Sequence, residues 1–533
     1  MFETTTAPPR RADLRSRAVT FVRGPAGRPA LLGVLGSALI TLASPGAGSL
    51  RLTDPFLERL HLSWMRFGHG QQLSMALLYL GVGLLLLAWV RVGRLVLAER
   101  ISANGLRATI AAWVVPMLVA SPIYSRDVYS YLAQGALLRD GFDPYAVGPV
   151  VSPGPLLDNV SSIWSNTPAP YGPVWLLVAD GVTRVTGDSV VWGTLLIRLT
   201  MLPGLALLVW ALPRLAGHLG GRAGAAVWLG AMNPLVLVHL VGGVHNEMLM
   251  VGLMAAGVAL GLDRQHVAGI AVIALAVGVK ASAGLALPFV VWIWVAHLRE
   301  DHARRTGTDA TSTSPLLPLL MRTSAAGVGV FTVVFAAASL VAGVGIGWLT
   351  ALSGSSKIVN WLSAPTAVAQ LVGPATSWLT GYGSDRLLPM TRLIFGAVLA
   401  VVLVVVWWRS RRTPTDAVRG VAVALVAVVV LSPAALPWYY SWPLAFLAPL
   451  AWSPRALGVL AGVSTWLLLI FRPPGNMGLY SPFDLLVGAG VAVLVAVSLV
   501  RADPLHLRSR PAPTGPDLST TARTGPTQSA ATA

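Results

Sequence analysis

Leu106–Pro149 reads LRATIAAWVVPMLVASPIYSRDVYSYLAQGALLRDGFDPYAVGP. It is apolar as far as Ile123, and from Ser125 it crowds carboxylates, arginines and tyrosines against the end of the apolar run. Hydrocarbon tolerates no such cluster, because charges and unpaired polar groups there have no water to solvate them. The second half of the stretch must therefore sit on an aqueous face beside a bilayer. An acid held there among aromatic and amide side chains suits chemistry on a lipid-linked polar substrate.

The rest of the chain agrees with a membrane setting. Of 533 residues, 55% are hydrophobic and only 11% are charged, against roughly 25% charged in soluble domains. A net charge of +17 would suit nucleic acid, but the basic residues lie mostly in the two tails and in short loops between apolar runs. That placement is what the positive-inside rule produces, and no nucleic-acid partner is expected. With no cysteine there is neither a disulfide nor thiol chemistry. Of the 38 basic residues only Lys280 and Lys357 are lysines.

Apolar runs fall at about 29–46, 72–91, 106–124, 189–212, 223–242, 246–262, 266–280, 281–297, 323–344, 391–408, 417–434, 439–452, 455–471 and 484–500. They predict an all-α, polytopic bundle of about 13–14 transmembrane helices, although several runs are shorter than the ~20 residues of a straight span. Residues 1–28 read as a disordered, basic cytoplasmic tail, 29–500 as one transmembrane domain, and 501–533 as a second disordered cytoplasmic tail. Threading with the N-terminus inside puts the loops at Arg91–Arg107, Arg214–Arg222, Asp263–His266, His297–Arg322, Arg409–Arg419 and Ser453–Arg455 in the cytoplasm. The long Gly/Pro/aromatic-rich loops, about 121–188 and 345–390, then face outward with loop helices of their own. Every residue nominated below for chemistry falls on that outer side.

Asp127 leads. In a helix from Ser125 to Leu138 it shares a neighbourhood with Ser130, Tyr131 and Gln134. An acid there suits a general base, or else merely complements a helix N-terminus. Arg126 can pair with Asp127 or with a phosphate. Gly141-Phe142-Asp143-Pro144-Tyr145 reads as a helix stop and turn, with Asp143 structural or a sugar-hydroxyl ligand. Tyr171 and Trp175 offer an aromatic platform for sugar faces, and Trp438 and Tyr439 a second one or an interfacial belt. His245-Asn246-Glu247 opens an apolar helix, where it can bind sugar hydroxyls or simply cap. Its spacing does not make a zinc site. Lys280 interrupts an apolar run and must snorkel or meet an anion, phosphate or carboxylate. Arg472 and Lys357 are further outer-face cations. No P-loop and no dinucleotide-binding glycine fingerprint occurs, so a sugar donor would arrive through the membrane.

The blocks SRDVYSYLAQG, GFDPYAVGP, YGPVW, HNEMLM and VKASAGLALPF, in that order, resemble the actinobacterial polyprenol-phosphate-mannose-dependent α-(1→6)-mannosyltransferases of MptA/MptB type, in the GT-C superfamily. The resemblance covers nearly the whole chain outside the tails. It implies a GT-C-type transmembrane fold, a polyprenyl-phosphomannose donor, a mannan or lipomannan acceptor and an extracytoplasmic active site. A β-linked donor and an α-linked product imply inversion, with the loop acid falling on Asp127 as base. GT-C enzymes usually carry that acid in the first outer loop, whereas here it falls in the second. Arg126 stands where some relatives have a second acid, so a metal-binding acid pair is not expected, and neither is a cofactor. On this scheme Lys280 and Arg472, with Arg126 and Lys357, meet the donor phosphate. Tyr131, Gln134, Asp143, Tyr171, Trp175, His245, Asn246, Glu247, Trp438 and Tyr439 shape the sugar sites. A transporter or flippase of a lipid-linked sugar is the alternative, and a non-catalytic partner in cell-wall assembly a second. No repeat relates the two halves as transporters require.

Overall fold

The computed structural model describes residues 23–307, 316–380 and 383–501. The expected tails at 1–22 and 502–533 lie outside the described residues. Within them the chain is almost wholly helical: α1 (Gly27–Ala47), α2 (Gly68–Leu97), α3 (Ala103–Met117), α4 (Asp127–Arg139), α5 (Pro173–Thr186), α6 (Val190–Leu199), α7 (Leu202–Leu219), α8 (Ala223–Gly230), α9 (Glu247–Leu262), α10 (His266–Val279), α11 (Leu287–Thr306), α12 (Leu316–Ala342), α13 (Ala364–Thr380), α14 (Ser384–Arg409), α15 (Pro414–Leu431), α16 (Ser441–Leu447), α17 (Pro454–Leu469) and α18 (Pro482–Val500). One two-stranded hairpin, Phe471–Arg472 with Asn476–Met477, is also present. The protein is a multi-pass membrane helix bundle.

Among the described residues nine helical segments are long and apolar enough to cross a bilayer, with α9, α10 and α17 as shorter apolar helices. Hydropathy alone suggests more, and two runs show why. The run at 439–452 folds as a tight turn at Pro437–Tyr440 followed by the seven-residue α16, both packed into the interior. The run at 106–124 is helical only to Met117, because prolines at 116 and 122 leave no place for further turns. Apolar length reports burial here, whether in lipid or in protein.

Helices in lipid gain little from apolar burial against each other and associate through close packing. Glycines permit it: a Cβ on Gly252 of α9 would lie 2.0 Å from the Gly204 carbonyl of α7, and one on Gly36 of α1 would lie 2.7 Å from the Gly81 carbonyl of α2. Trp89 of α2 and Trp228 of α8 stack at 4.7 Å, and each indole donates to the other's backbone carbonyl, at 3.0 and 2.9 Å. Each ring thus satisfies its one donor while filling apolar space.

α8 leads to Pro234–Val236 and then to a wider turn at Leu237–Gly242. Buried Arg198 of α6 donates to the carbonyls of Val241 (3.1 Å), Gly242 (3.3 Å) and Leu118 (2.8 Å). It fastens the end of that turn to the end of the α3 region. The loop helices α4 and α5 pack together so closely that a Cβ on Gly135 would lie 2.4 Å from the Ala179 carbonyl carbon. The segments 124–127, 245–247, 280–282, 432–442 and 471–477 gather at one end of the bundle. The other ends of the helices leading to or from them carry Arg264, Arg304, Arg305, Arg419 and Arg455.

Gly252→Leu should lower stability by roughly 1–3 kcal/mol or prevent α7 and α9 from packing. Gly83→Leu, where an added Cβ would meet no atom within 4 Å, should be near neutral. Thermal unfolding in detergent distinguishes the two.

Candidate functional site

Helix α4 begins at Asp127, whose amide is held by the Ser125 hydroxyl at 3.1 Å. Tyr124, just before it, has φ +68°, and its amide bonds the Pro473 carbonyl at 2.7 Å. Val244, just before His245, has φ +58°. A β-branched residue in that region is a costly outlier, and strain of this kind persists only where surrounding contacts enforce it. Both segments carrying chemical side chains are thus reached through left-handed, non-glycine residues.

These segments adjoin a cavity of about 920 Å³. Arg126, Asp127, Gln134, Tyr171, Lys280, Lys357, Trp438 and Tyr439 line it, as the sequence grouped them. Ser130, which helical spacing put beside Asp127, also lines it, as do Tyr124, Ser125, Ser282, Trp442 and Phe471, whose part in the wall sequence reasoning passed over. The hydroxyls of Ser130 and Ser282 and the Gln134 amide oxygen are buried with no protein partner. Buried polar atoms normally find one, so these are suited to a polar ligand.

His245, Asn246 and Glu247 do not line the cavity. They form a fully buried layer behind its wall. Glu247 pairs with Lys280, whose ammonium also lies 4.5 Å from the Tyr439 ring centre and 5.5 Å from that of Trp442. Burial pushes the Lys280 ammonium toward neutrality, but the Glu247 carboxylate outweighs it and holds the group protonated well above the ordinary lysine value. His245 Nε2 lies 3.6 Å from Asp127 Oδ2, and its ring stacks on Trp438 at 4.0 Å. Burial raises the Asp127 carboxyl above its usual range, opposed by His245 and Lys280 and reinforced by Glu247. Burial also carries the Tyr439 hydroxyl up to about 12, so it stays neutral.

The remaining expected residues sit elsewhere. Arg472 donates to Asp484 at 2.8 Å and does not line the cavity. Arg126 lines it, but spends its guanidinium on the carbonyls of Asn159 (2.7 Å) and Leu50 (3.2 Å). Tyr131 and Trp175 are buried behind Tyr171, meeting edge to face. Asp143 accepts from the Tyr145 amide at 2.9 Å in a turn begun by Gly141 at φ +84°. Lys357 donates to the Thr167 hydroxyl at 2.6 Å, and no described carboxylate lies within salt-bridge reach of it. Among the described residues no three His, Asp or Glu side chains converge as a metal-ligand group.

Comparison with known proteins adds two family models and several relatives. Residues 30–296 match the model described as alpha-(1->6)-mannopyranosyltransferase, N-terminal domain, and residues 365–501 match the MptB C-terminal domain. The chain is 53% identical to alpha-(1->6)-mannopyranosyltransferase A of Mycobacterium tuberculosis, over 91% of this chain and 92% of that one. It is 38% identical to alpha-(1->6)-mannopyranosyltransferase A of Corynebacterium glutamicum, over 86% and 96%. The crystal structure of ArnT from Cupriavidus metallidurans bound to undecaprenyl phosphate aligns with 75% of this chain and 70% of that one, at TM-score 0.37 and 16% identity. That superposition is too loose to transfer a binding site.

Removing one partner of a buried ion pair costs about 3–5 kcal/mol, because the other charge is stranded. Lys280→Met strands Glu247, only 1% exposed, whereas Glu247→Gln leaves Lys280, 16% exposed, facing the cavity and its aromatic rings. Lys280→Met should therefore be the more destabilising, and the double variant should lose less than the sum of the two. A double-mutant cycle read by thermal unfolding checks both.

Proposed function

The chain belongs to the α-(1→6)-mannopyranosyltransferase family, and on that premise we propose how this membrane mannosyltransferase works. Its cavity takes mannose from polyprenyl-phosphomannose and places it, with inversion, on the 6-hydroxyl of a mannan or lipomannan acceptor. The observation that carries this reading is Asp127: its carboxylate lines the cavity and is not tied to a cation, whereas Glu247 is locked to Lys280 behind the wall. One free carboxylate suits a single displacement, in which one base suffices. The cavity volume also lies at the upper end of the roughly 300–1,000 Å³ typical of small-ligand sites.

In the proposed step the acceptor O6 forms its bond to C1 of the donor mannose as its proton passes to Asp127. The C1–O bond to phosphate breaks, and prenyl phosphate departs with the electron pair. The raised carboxyl makes Asp127 a stronger base than an exposed aspartate. Lys357, free of any described carboxylate, lies on the wall where it neutralises the leaving phosphate, and Lys280, on the same wall but paired with Glu247, adds a hydrogen-bond donor toward it. Arg472, held by Asp484, is the weaker candidate for that role. Tyr171, Trp438 and Tyr439 present aromatic faces for the sugars. The cavity faces away from the cytoplasm and both termini lie inside. This is supported by the arginines at the opposite ends of the helices that supply it.

Asp127→Asn should cut transfer to a short α-(1→6)-mannoside by roughly 10²–10⁴-fold while the protein stays folded in the membrane. Near-normal turnover would remove Asp127 as base. A carboxyl whose folded pKa lies above its unfolded value costs stability once pH rises past the unfolded value. The asparagine variant should therefore melt no lower than the parent at neutral pH. In the parent, kcat/KM should fall as pH drops through the raised Asp127 value, above the range of an ordinary aspartate. Lys357→Met should raise the donor KM several-fold and change the acceptor KM little, as measured by initial rates with polyprenyl-phosphomannose.

A further inference from the structure

His245 is fully buried and does not touch the cavity, so it is out of reach of a sugar there. Its Nδ1 lies 2.7 Å from the His239 carbonyl oxygen. A carbonyl only accepts, so Nδ1 carries the proton and the neutral ring presents a bare lone pair at Nε2. That nitrogen is buried, has no hydrogen-bond partner, and lies 3.6 Å from Asp127 Oδ2. The ring has little freedom to turn elsewhere. Val244 approaches it at φ +58°, a Cβ on Gly243 would lie 3.0 Å from its Cε1, and Trp438 covers one face at 4.0 Å and 28°.

We propose that His245 is a positioning residue acting through Asp127: its Nε2 takes over the proton that Asp127 removes from the acceptor hydroxyl. The inference rests on Asp127 being the base. The proton count is simple. Asp127 gains the proton from the acceptor oxygen, then gives it to Nε2, which leaves a carboxylate facing an imidazolium. After the product departs the proton returns through Asp127 to cavity water, restoring the neutral ring.

The surroundings fit an imidazolium at this one place. Asp127 faces Nε2 from the start of α4, and Glu247, on the same segment as the ring, is a second nearby carboxylate balanced by Lys280 from the end of α10. From the turn at Leu237–Gly242, His239 faces the ring at 6.4 Å between centres, with both its own nitrogens unpartnered. The Pro437–Tyr440 turn contributes the Trp438 face, which attracts a cation, and Tyr439, whose hydroxyl stays neutral and whose ring lies against Lys280.

Two variants separate the relay from a structural role. His245→Asn keeps a donor toward the His239 carbonyl and removes the basic Nε2. His245→Gln keeps a polar atom near Nε2 without basicity. Both should lower kcat roughly tenfold or more, leave both KM values within about threefold, and change the acid limb of the kcat/KM profile. A higher sugar KM with intact kcat, or an unchanged pH profile, overturns the inference. Asp127→Asn is assayed in parallel: if it turns over normally, the base assignment itself falls, whatever His245 does. If it is inactive while both His245 variants match the parent, only the relay falls. Should neither His245 variant fold, ¹⁵N spectra of histidine-labelled parent and Asp127→Asn protein decide. One Nε2 titration should move between them, and identical titrations overturn the proposal.

Discussion

Placing ionised groups where water is scarce is the constraint on which this molecule turns. Glu247 is almost without exposure, and it is paired with Lys280 beside it. With that pair neutral overall, Asp127 is left without a cation of its own, beside an imidazole that stacks on the Trp438 indole. Arg198 meets the same constraint differently, by covering three backbone carbonyls with no described acid in ion-pair reach. Each buried charge thus fixes a segment: α10 to α9, α6 to the turn before His245, and the start of α4 to both.

The class of fold was legible in the chain, and so was the position of the acid proposed as base, for physical reasons. Charge is so scarce in an apolar sequence that Asp127 and Lys280 stand out by position alone, and glycine followed by Asp-Pro has few uses besides a turn. What could not be read was depth. His245, Asn246 and Glu247 look like a polar mouth of a helix, yet the preceding left-handed residue and the Trp438 stack turn them inward as a layer behind the wall. Arg472 looks like a free outer cation because Asp484, its partner, opens what reads as an ordinary apolar span. Ser282 carries no signal at all, since small hydroxyls are common in membrane helices, and Ser130 is marked only by its spacing from Asp127. The sequence offers more apolar runs than the nine described segments long enough to span, because apolar residues that line a protein interior, such as those of α16, cannot be told from residues facing lipid.

Local geometry and function are joined at two strained residues. Tyr124 and Val244 each hold a positive φ that glycine would adopt more readily. Each does so where its own side chain is wholly buried against the core. The bulk that makes the conformation costly also anchors the segment. Asp127 and His245 therefore face each other because packing leaves their backbones no cheaper path, and flexibility at either residue would loosen both sides of the pair.

The cavity wall draws on residues from Tyr124 to Met477, which has a consequence for how the protein is made. Helices enter a bilayer in the order of translation, so the acid and the lysines are in place long before the turn that carries Trp438 and the hairpin at Phe471–Met477. During that interval the site is an open, wet groove with an unstacked imidazole. Only the last part of the chain closes it, so a nascent or truncated polypeptide holds Asp127 and the two lysines but not the closed chamber around them.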